Sequence, residues 1–336
     1  MERIFELDYY SVNERNGVYG GKAGDKEGIT IDGQYWIVKY PKNTAGMRGD
    51  IDSYTTAPLS EHIGSRVYDI LGVDVHKTIL GIRNNKVVVA CKDFCKTEGS
   101  LREVRTLKNV YNEQLSKIIE SDFSSTSSSH LVDIDEIMVH FKYNPSLNKV
   151  EGVEERFWTQ FVVDILINNN DRNNGNWGLL YEDGAFRIAP VFDNGAAFYN
   201  KTTDTKLQSI MQTPDRLRQS IETSRTVYSK NGKELFAKDL LSLEYPELDR
   251  VAVRLIPKIL DKQKSINKMI MDIPSEYKGH DICSDVRKEF YMETMRLKTE
   301  MFLLPFYRKA SSRVSGESLD GSVSKLGLSP CQRRGR

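Results

Sequence analysis

Residues 161–198, FVVDILINNNDRNNGNWGLLYEDGAFRIAPVFDNGAAF, constrain this chain more than any other stretch. Phe157, Phe161, Ile165 and Leu166 recur at helical spacing and predict a helix over 154–167. The helix runs into Asn168-Asn169-Asn170, residues that favour turns and can satisfy helix-terminal carbonyls. Asp171 then opens a loop that closes at Asn176. Two apolar runs, WGLLY and FRIAPVF, flank Glu182-Asp183-Gly184, and Asp-Gly between such runs signals a tight hairpin. The second run ends in Asp193-Asn194-Gly195. One end of the hairpin therefore gathers two carboxylates and an amide.

Phosphoryl transfer from ATP asks for such a set. One carboxylate orients the attacking hydroxyl, while an amide oxygen and a second carboxylate hold magnesium on the phosphates. The Asp-x4-Asn spacing, with a later Asp after a strand, matches the catalytic-loop and metal-Asp order of protein kinases. An Asn/Asp-rich surface turn would account for Asp171 or Asn176 alone. The whole ordered set favours chemistry.

On Asp171-x4-Asn176 followed by Ala189-Pro190-Val191-Phe192-Asp193, the chain resembles the HipA-like serine/threonine kinases. Within them it resembles the compact cell-translocating (CtkA) type, which lacks HipA's extra N-terminal subdomain. The resemblance implies a two-lobed, protein-kinase-like α+β fold. A small sheet-rich lobe would span 1–95, a larger helical lobe 96–310, and a disordered basic tail 311–336. Two departures bear on the acceptor. HipA proteins usually carry His and Lys inside the Asp…Asn loop, where this chain has Arg172, Asn173, Asn174 and Gly175. The form Asn170-Asp171-Arg172…Asn176-Trp177 also resembles the catalytic loop of type II phosphatidylinositol 4-kinases.

In the first 95 residues, two β-rich runs flank Asp32-Gly33, a second hairpin signal. Gly20, Gly21, Gly24 and Gly28 punctuate the loop before them, and glycines let backbone N–H groups approach phosphates. A glycine-rich surface loop reads equally well without context. The resemblance implies that Gly24-Asp25-Lys26 is a phosphate-contacting loop ending in lysine.

Lys39 sits in the strand Tyr35–Tyr40, which Pro41 stops, and shares a face with Tyr35 and Ile37, so its amine needs a partner unless solvent reaches it. By resemblance, IVKYP is the nucleotide-binding lysine strand. A helix follows, SEHIGSRVYDILG, with Ser60 as its expected N-cap and Gly72 as its C-cap. Glu61 either complements the helix dipole or pairs with Lys39. VHKTILGIRNNKVVVACKDFC reads as a hairpin turned at Asn84-Asn85. In a kinase layout the backbone of Ala90, Cys91 and Lys92 would contact adenine.

Further on, SDFSSTSSS (121–129) reads as a polar connector, and 131–143 as a helix. Residues 199–232, rich in Thr, Ser, Asn and Lys, read as an exposed segment in the place of an activation loop. Helices over 234–308 are expected to break at Pro246, Pro257, Pro274 and Pro305. The Ser/Gly-rich end, with Arg333, Arg334 and Arg336, reads as disordered.

Composition excludes other classes. Charged residues form 28% of the 336 and balance to +1, which gives no field for direct nucleic-acid binding. Cys91, Cys95, Cys283 and Cys331 show no CxxC and no metal spacing, so free thiols in the cytoplasm are the simplest reading. The charged N-terminus is no signal peptide and no run reaches a membrane span. A non-classical export route stays open.

The leading expectation is an ATP- and magnesium-dependent protein serine/threonine kinase that phosphorylates another protein and also itself. Asp171 would orient the acceptor hydroxyl, Asn176 and Asp193 would hold magnesium, Lys39 and Lys26 the phosphates, and Glu61 would orient Lys39. The alternatives are a phosphatidylinositol-type lipid kinase and a nucleotide-binding regulatory module without catalysis. No polybasic or amphipathic surface stretch supports the first. The complete Asp/Asn/Asp/Lys set argues against the second.

Overall fold

A computed structural model describes residues 1–13, 26–45, 53–97, 99–119 and 131–325. The side chains of 118–119 and 317–325 are outside that description. So are the loop residues Gly24 and Asp25 and the connector 121–129.

The first part builds a five-stranded sheet from β1 (Phe5–Glu6), β2 (Lys26–Ile31), β3 (Gln34–Lys39), β4 (Thr78–Arg83) and β5 (Lys86–Lys92). Their order is β1-β4-β5-β3-β2, with β1 parallel to β4 and the remaining pairs antiparallel. Both hairpins turn where the sequence places them. Asp32-Gly33 and Asn84-Asn85 all take positive φ, as a turn matching the strand twist demands.

Helix α1 (Ala57–Ile70) connects β3 to β4 and packs on one sheet face through Leu59, Ile63 and Val67. It begins three residues before the expected cap. Thr56 is the N-cap, without a capping side-chain bond, and Pro58 occupies the first turn, where a missing N–H costs nothing. Ser60 is consequently a buried residue inside the helix. Gly72 follows the C-cap at φ +63°.

The next elements are β6 (Leu101–Glu103), α2 (Val104–Ile119), β7 (Val132–Asp133), α3 (Ile134–Tyr143) and α4 (Val153–Ile167). Asp133 caps α3 by accepting from the N–H groups of Asp135 and Glu136. Helix α4 is buried on nearly every side. Phe157 and Phe161 contact Trp158, and between them the rings of Phe141, Trp177 and Tyr228, at centroid distances of 4.6–5.7 Å. The hairpin β8 (Gly178–Glu182) and β9 (Ala185–Ile188) follows, with Asp183 and Gly184 at positive φ and β6 pairing the free edge of β8.

Residues 199–232 are not an exposed segment. They form α5 (Asp204–Met211), α6 (Pro214–Glu222) and β10 (Arg225–Lys230), which pairs with β7 and with β11 (Lys233–Phe236). Leu207, Leu217, Ile221, Val227 and Tyr228 are buried. These few apolar anchors are diluted by a polar composition that belongs to the outward faces. Thr203 caps α5 and Pro214 starts α6.

Two of the expected proline breaks do not occur. Helix α7 (Pro246–Asp272) starts at Pro246 and runs straight through Pro257. Burial of Val251, Ala252, Leu255, Ile256, Ile259, Ile266, Met269 and Ile270 on both sides outweighs an interior proline's cost of about 3 kcal/mol. After the small hairpin β12 (Glu276–Tyr277) and β13 (His280–Asp281), α8 (Asp285–Lys298) passes through a π-helical stretch, Thr299–Leu303, into α9 (Leu304–Lys325). The wider turn carries the helix past Pro305.

The expected tail boundary at 311 is therefore also overturned. Ala310 is fully buried, and Arg313 donates to both carboxylate oxygens of Asp249 at 2.6 Å.

One apolar cluster runs without interruption from the α1 face of the sheet through α4, α7, α8 and α9. A smaller one, around Leu7, Ile29, Val38 and Val88, covers the other sheet face. Among the described residues no helix is long and apolar enough to cross a membrane.

Candidate active site

Lys39, at the last position of β3, is held between two carboxylates. Its Nζ donates to Glu61 Oε2 at 2.9 Å and to Asp193 Oδ1 at 2.8 Å. Glu61 comes from the first turns of α1, and Asp193 from the loop after β9. Glu61 is 1% exposed, so its charge must be met by protein groups. Its other oxygen, Oε1, takes His76 Nε2 at 2.9 Å and the N–H of Asn194 at 3.0 Å.

The electrostatics follow from that packing. Burial pushes the Glu61 carboxyl up, but Lys39, His76 and the Asn194 N–H outweigh it and hold the group below its ordinary range. Burial also disfavours the Lys39 ammonium, and the charges of Asp193 and Glu61 overturn that and raise its pKa. Lys39 lowers Asp193 in turn, against burial and the like charge of Glu61. All three groups are ionised.

The approach of α1 to the Asp193 loop needs a glycine. A Cβ on Gly64 would meet Asn194 Cβ at 2.8 Å, inside any real contact distance. The β4 and β9 ends are stitched together by Val191 N–H to Asp74 O (2.9 Å) and His76 N–H to Val191 O (3.0 Å). Asp193 itself takes φ +62°, a left-handed conformation uncommon for a residue with a side chain.

The loop after α4 is organised by hydrogen bonds within itself. Asn168 caps α4 in the left-handed conformation, and Asn169 Oδ1 accepts from the Asp171 N–H. Asp171 is exposed, and its Oδ1 accepts from Asn173 Nδ2 at 2.8 Å. Asn176 donates its side-chain amide to the Asp171 carbonyl. This leaves Asn176 Oδ1 and the second oxygen of Asp193 without a protein donor among the described residues. Both are hard oxygen ligands of the kind magnesium takes.

The remaining expected positions divide. Lys26 is exposed and stands directly opposite Lys39 in the β2–β3 register, so two cations share one sheet face. Gly24 and Asp25 lie outside the described residues. Ala90 and Cys91 do not offer backbone to a ligand. Each is paired on both edges of β5, to Ile79 and Thr78 of β4 and to Val38 and Ile37 of β3, so the ladders take their N–H and C=O groups. The chain leaves the sheet only beyond Lys92, where Phe94 packs on Phe192 at 5.7 Å.

Ligand atoms of Glu61, His76 and Cys91 fall within 4.8 Å of one another, all buried. Both Glu61 oxygens are already occupied, and burial pushes the Cys91 thiol well up. A divalent cation there would face the Lys39 ammonium, so the trio is packing.

Four residues of the site escape a reading of the sequence: His76, Asp164, Arg172 and Asn194. Arg172 is 1% exposed and pairs with Asp164 at 2.9 Å (Nε to Oδ2). The one available signal was Asp164 inside the apolar run FVVDILI, since a buried carboxylate implies a buried partner.

The chain is 30% identical over 291 residues to serine/threonine-protein kinase CtkA of Helicobacter pylori (strain J99 / ATCC 700824), covering 85% of this chain and 82% of that one. Its fold matches the crystal structure of a Helicobacter pylori proinflammatory kinase CtkA with a TM-score of 0.77 and 24% identity, over 92% of this chain and 99% of that one. It matches more distantly, at TM-score 0.52 and 12% identity, a chain of the Shewanella oneidensis MR-1 toxin–antitoxin complex of HipA, HipB and operator DNA. That match spans 87% of this chain and 68% of the other. No protein-family model matches.

Proposed function

The chain belongs to the family of serine/threonine-protein kinase CtkA, and we propose that it transfers the γ-phosphoryl group of ATP, with magnesium, to a serine or threonine hydroxyl. What carries this reading is Lys39 held between Glu61 and Asp193, with Asp171 exposed on the neighbouring loop. The five-stranded sheet with α1 acts as the nucleotide-side lobe, spanning about the first 95 residues, and the helical remainder as the acceptor-side lobe.

Lys39 meets the phosphates, and Glu61, clamped by His76 and Asn194, keeps its amine in place. Lys26, on the same sheet face, adds a second cation for the phosphates. Adenine contacts through backbone fall to the residues beyond Lys92. Asn176 and Asp193 hold magnesium, which when bound draws negative charge from the phosphate oxygens. Asp171 accepts the proton of the acceptor hydroxyl and aims its oxygen. Transfer then leaves ADP and a phosphorylated serine or threonine, on another protein or on the chain itself.

Incubation of the pure protein with γ-labelled ATP and magnesium, beside casein or phosphoinositide vesicles, tests this. Label on serine or threonine is expected. Label in lipid, or none, overturns it.

A further inference from the structure

We infer that Arg172 is a positioning residue that fixes the Asn176 and Asp193 loops against each other for magnesium binding, resting on the metal assignment above and deepening it. Its guanidinium lies inside the protein and spans both loops. Nη1 donates to the carbonyls of Asn176 (3.0 Å), Phe192 and Asp193 (3.4 Å). Nη2 donates to Asn194 Oδ1, while Nε and Nη2 together grip Asp164 at 2.9 and 3.1 Å.

Every contact outside Asp164 is thus to a proposed metal ligand's own main chain or to a residue beside one. Bonds to carbonyls leave the side chains of Asn176 and Asp193 free to face an ion while fixing where those side chains start. A planar fork with five donors can reach three carbonyls, an amide and a carboxylate at once, which a lysine cannot.

The support extends outward in both directions. Asp164 Oδ1 also accepts from Tyr68 Oη (2.9 Å) and Asn169 Nδ2 (3.1 Å), so the anchor is itself locked. Asn194 Nδ2 donates to Ser65 Oγ at 3.0 Å, and its N–H reaches Glu61. One connected path therefore joins the Asp171–Asn176 loop, through Arg172 and Asn194, to the carboxylate that holds Lys39. Burial opposes the Arg172 charge, but Asp164 overrides it and raises the pKa, so the fork stays cationic.

The test is calorimetric titration of an imido-bridged ATP analogue, with and without magnesium, into wild type, Arg172→Lys and Asp164→Asn. Magnesium should strengthen binding to wild type. Arg172→Lys should cut that strengthening by about tenfold or more, while metal-free binding stays within roughly threefold. Asp164→Asn, which keeps the side-chain size and touches neither loop's metal-facing atoms, should shift it in the same direction. A merely structural role would lower the melting temperature and leave the magnesium effect in the folded protein unchanged. If Arg172→Lys does not fold, Asp164→Asn decides alone. Wild-type magnesium strengthening in the folded variants overturns the inference and leaves the kinase reading intact. A wild type indifferent to magnesium overturns the metal assignment and this inference with it.

Discussion

Lys39 Nζ and Asp193 Oδ1 lie 2.8 Å apart although 154 positions separate them in the chain. Each neutralises the other, and each is proposed to meet one part of a magnesium–nucleotide complex. Asp193→Asn removes a full charge from a hard-cation site, so magnesium-dependent ATP binding and transfer should both weaken. Lys39→Ala should weaken ATP binding even without metal. Calorimetry under the two conditions separates these. Identical losses in both variants with and without magnesium would count against the division of roles.

Asp171 should behave differently, because it is exposed and hydrogen-bonds within its own loop rather than to Lys39 or Asp193. Asp171→Asn should leave ATP affinity nearly unchanged and lower transfer by roughly two orders of magnitude or more, the scale of a lost positioned base. Single-turnover transfer of labelled phosphate measures it. Loss of nucleotide binding in this variant would move Asp171 out of the acceptor role.

Lys298 sets a pH dependence. Its Nζ is fully buried and donates to Ile165 O (2.9 Å) and Asn168 Oδ1 (2.7 Å) at the end of α4, three residues before Asp171. Burial pushes it down from 10.5 to about 7. Between those values the unfolded chain binds more protons than the folded one, so this contribution rises with pH across the window and is lost as pH falls through 7. One proton corresponds to a slope of about 1.4 kcal/mol per pH unit. Lys298→Met should flatten the wild-type slope in urea melts from pH 7 to 10. Parallel curves would show that the amine does not titrate there.

Arg313 ties α9 to α7 through two 2.6 Å bonds to Asp249, which is 4% exposed. Arg313→Ala should cost about 1.5–3 kcal/mol, the range for hydrogen bonds to charged groups. Thermal unfolding checks this, and an unchanged midpoint would mean that solvent replaces the arginine.

Self-phosphorylation within 199–229 should follow exposure. Thr205, Thr213 and Thr223 are exposed, whereas Thr203, Ser224, Thr226 and Ser229 are buried. Peptide mass spectrometry after incubation with ATP should find phosphate on the first set. Modification confined to the buried set would require that this region unfold.

Turn chemistry and periodicity made much of the molecule legible in advance. Asp32-Gly33, Asn84-Asn85 and Asp183-Gly184 each specify a hairpin locally, because few residues accept positive φ. The apolar spacing of α4 and its Asn168 terminus are equally local, and so is the order Asp171, Asn176, Asp193. Tertiary structure decided where a local cost is overridden by burial elsewhere. Pro257 stays helical because its neighbours are buried on both sides, and polar 204–230 folds around a few hidden anchors. The backbone of Ala90 and Cys91 is enclosed not only by its hairpin partner β4 but also by β3, which is distant in sequence. The same holds for Arg172, His76 and Asn194. Their partners stand 4 to 133 positions away, and only packing that excludes water makes a polar group choose one partner over solvent.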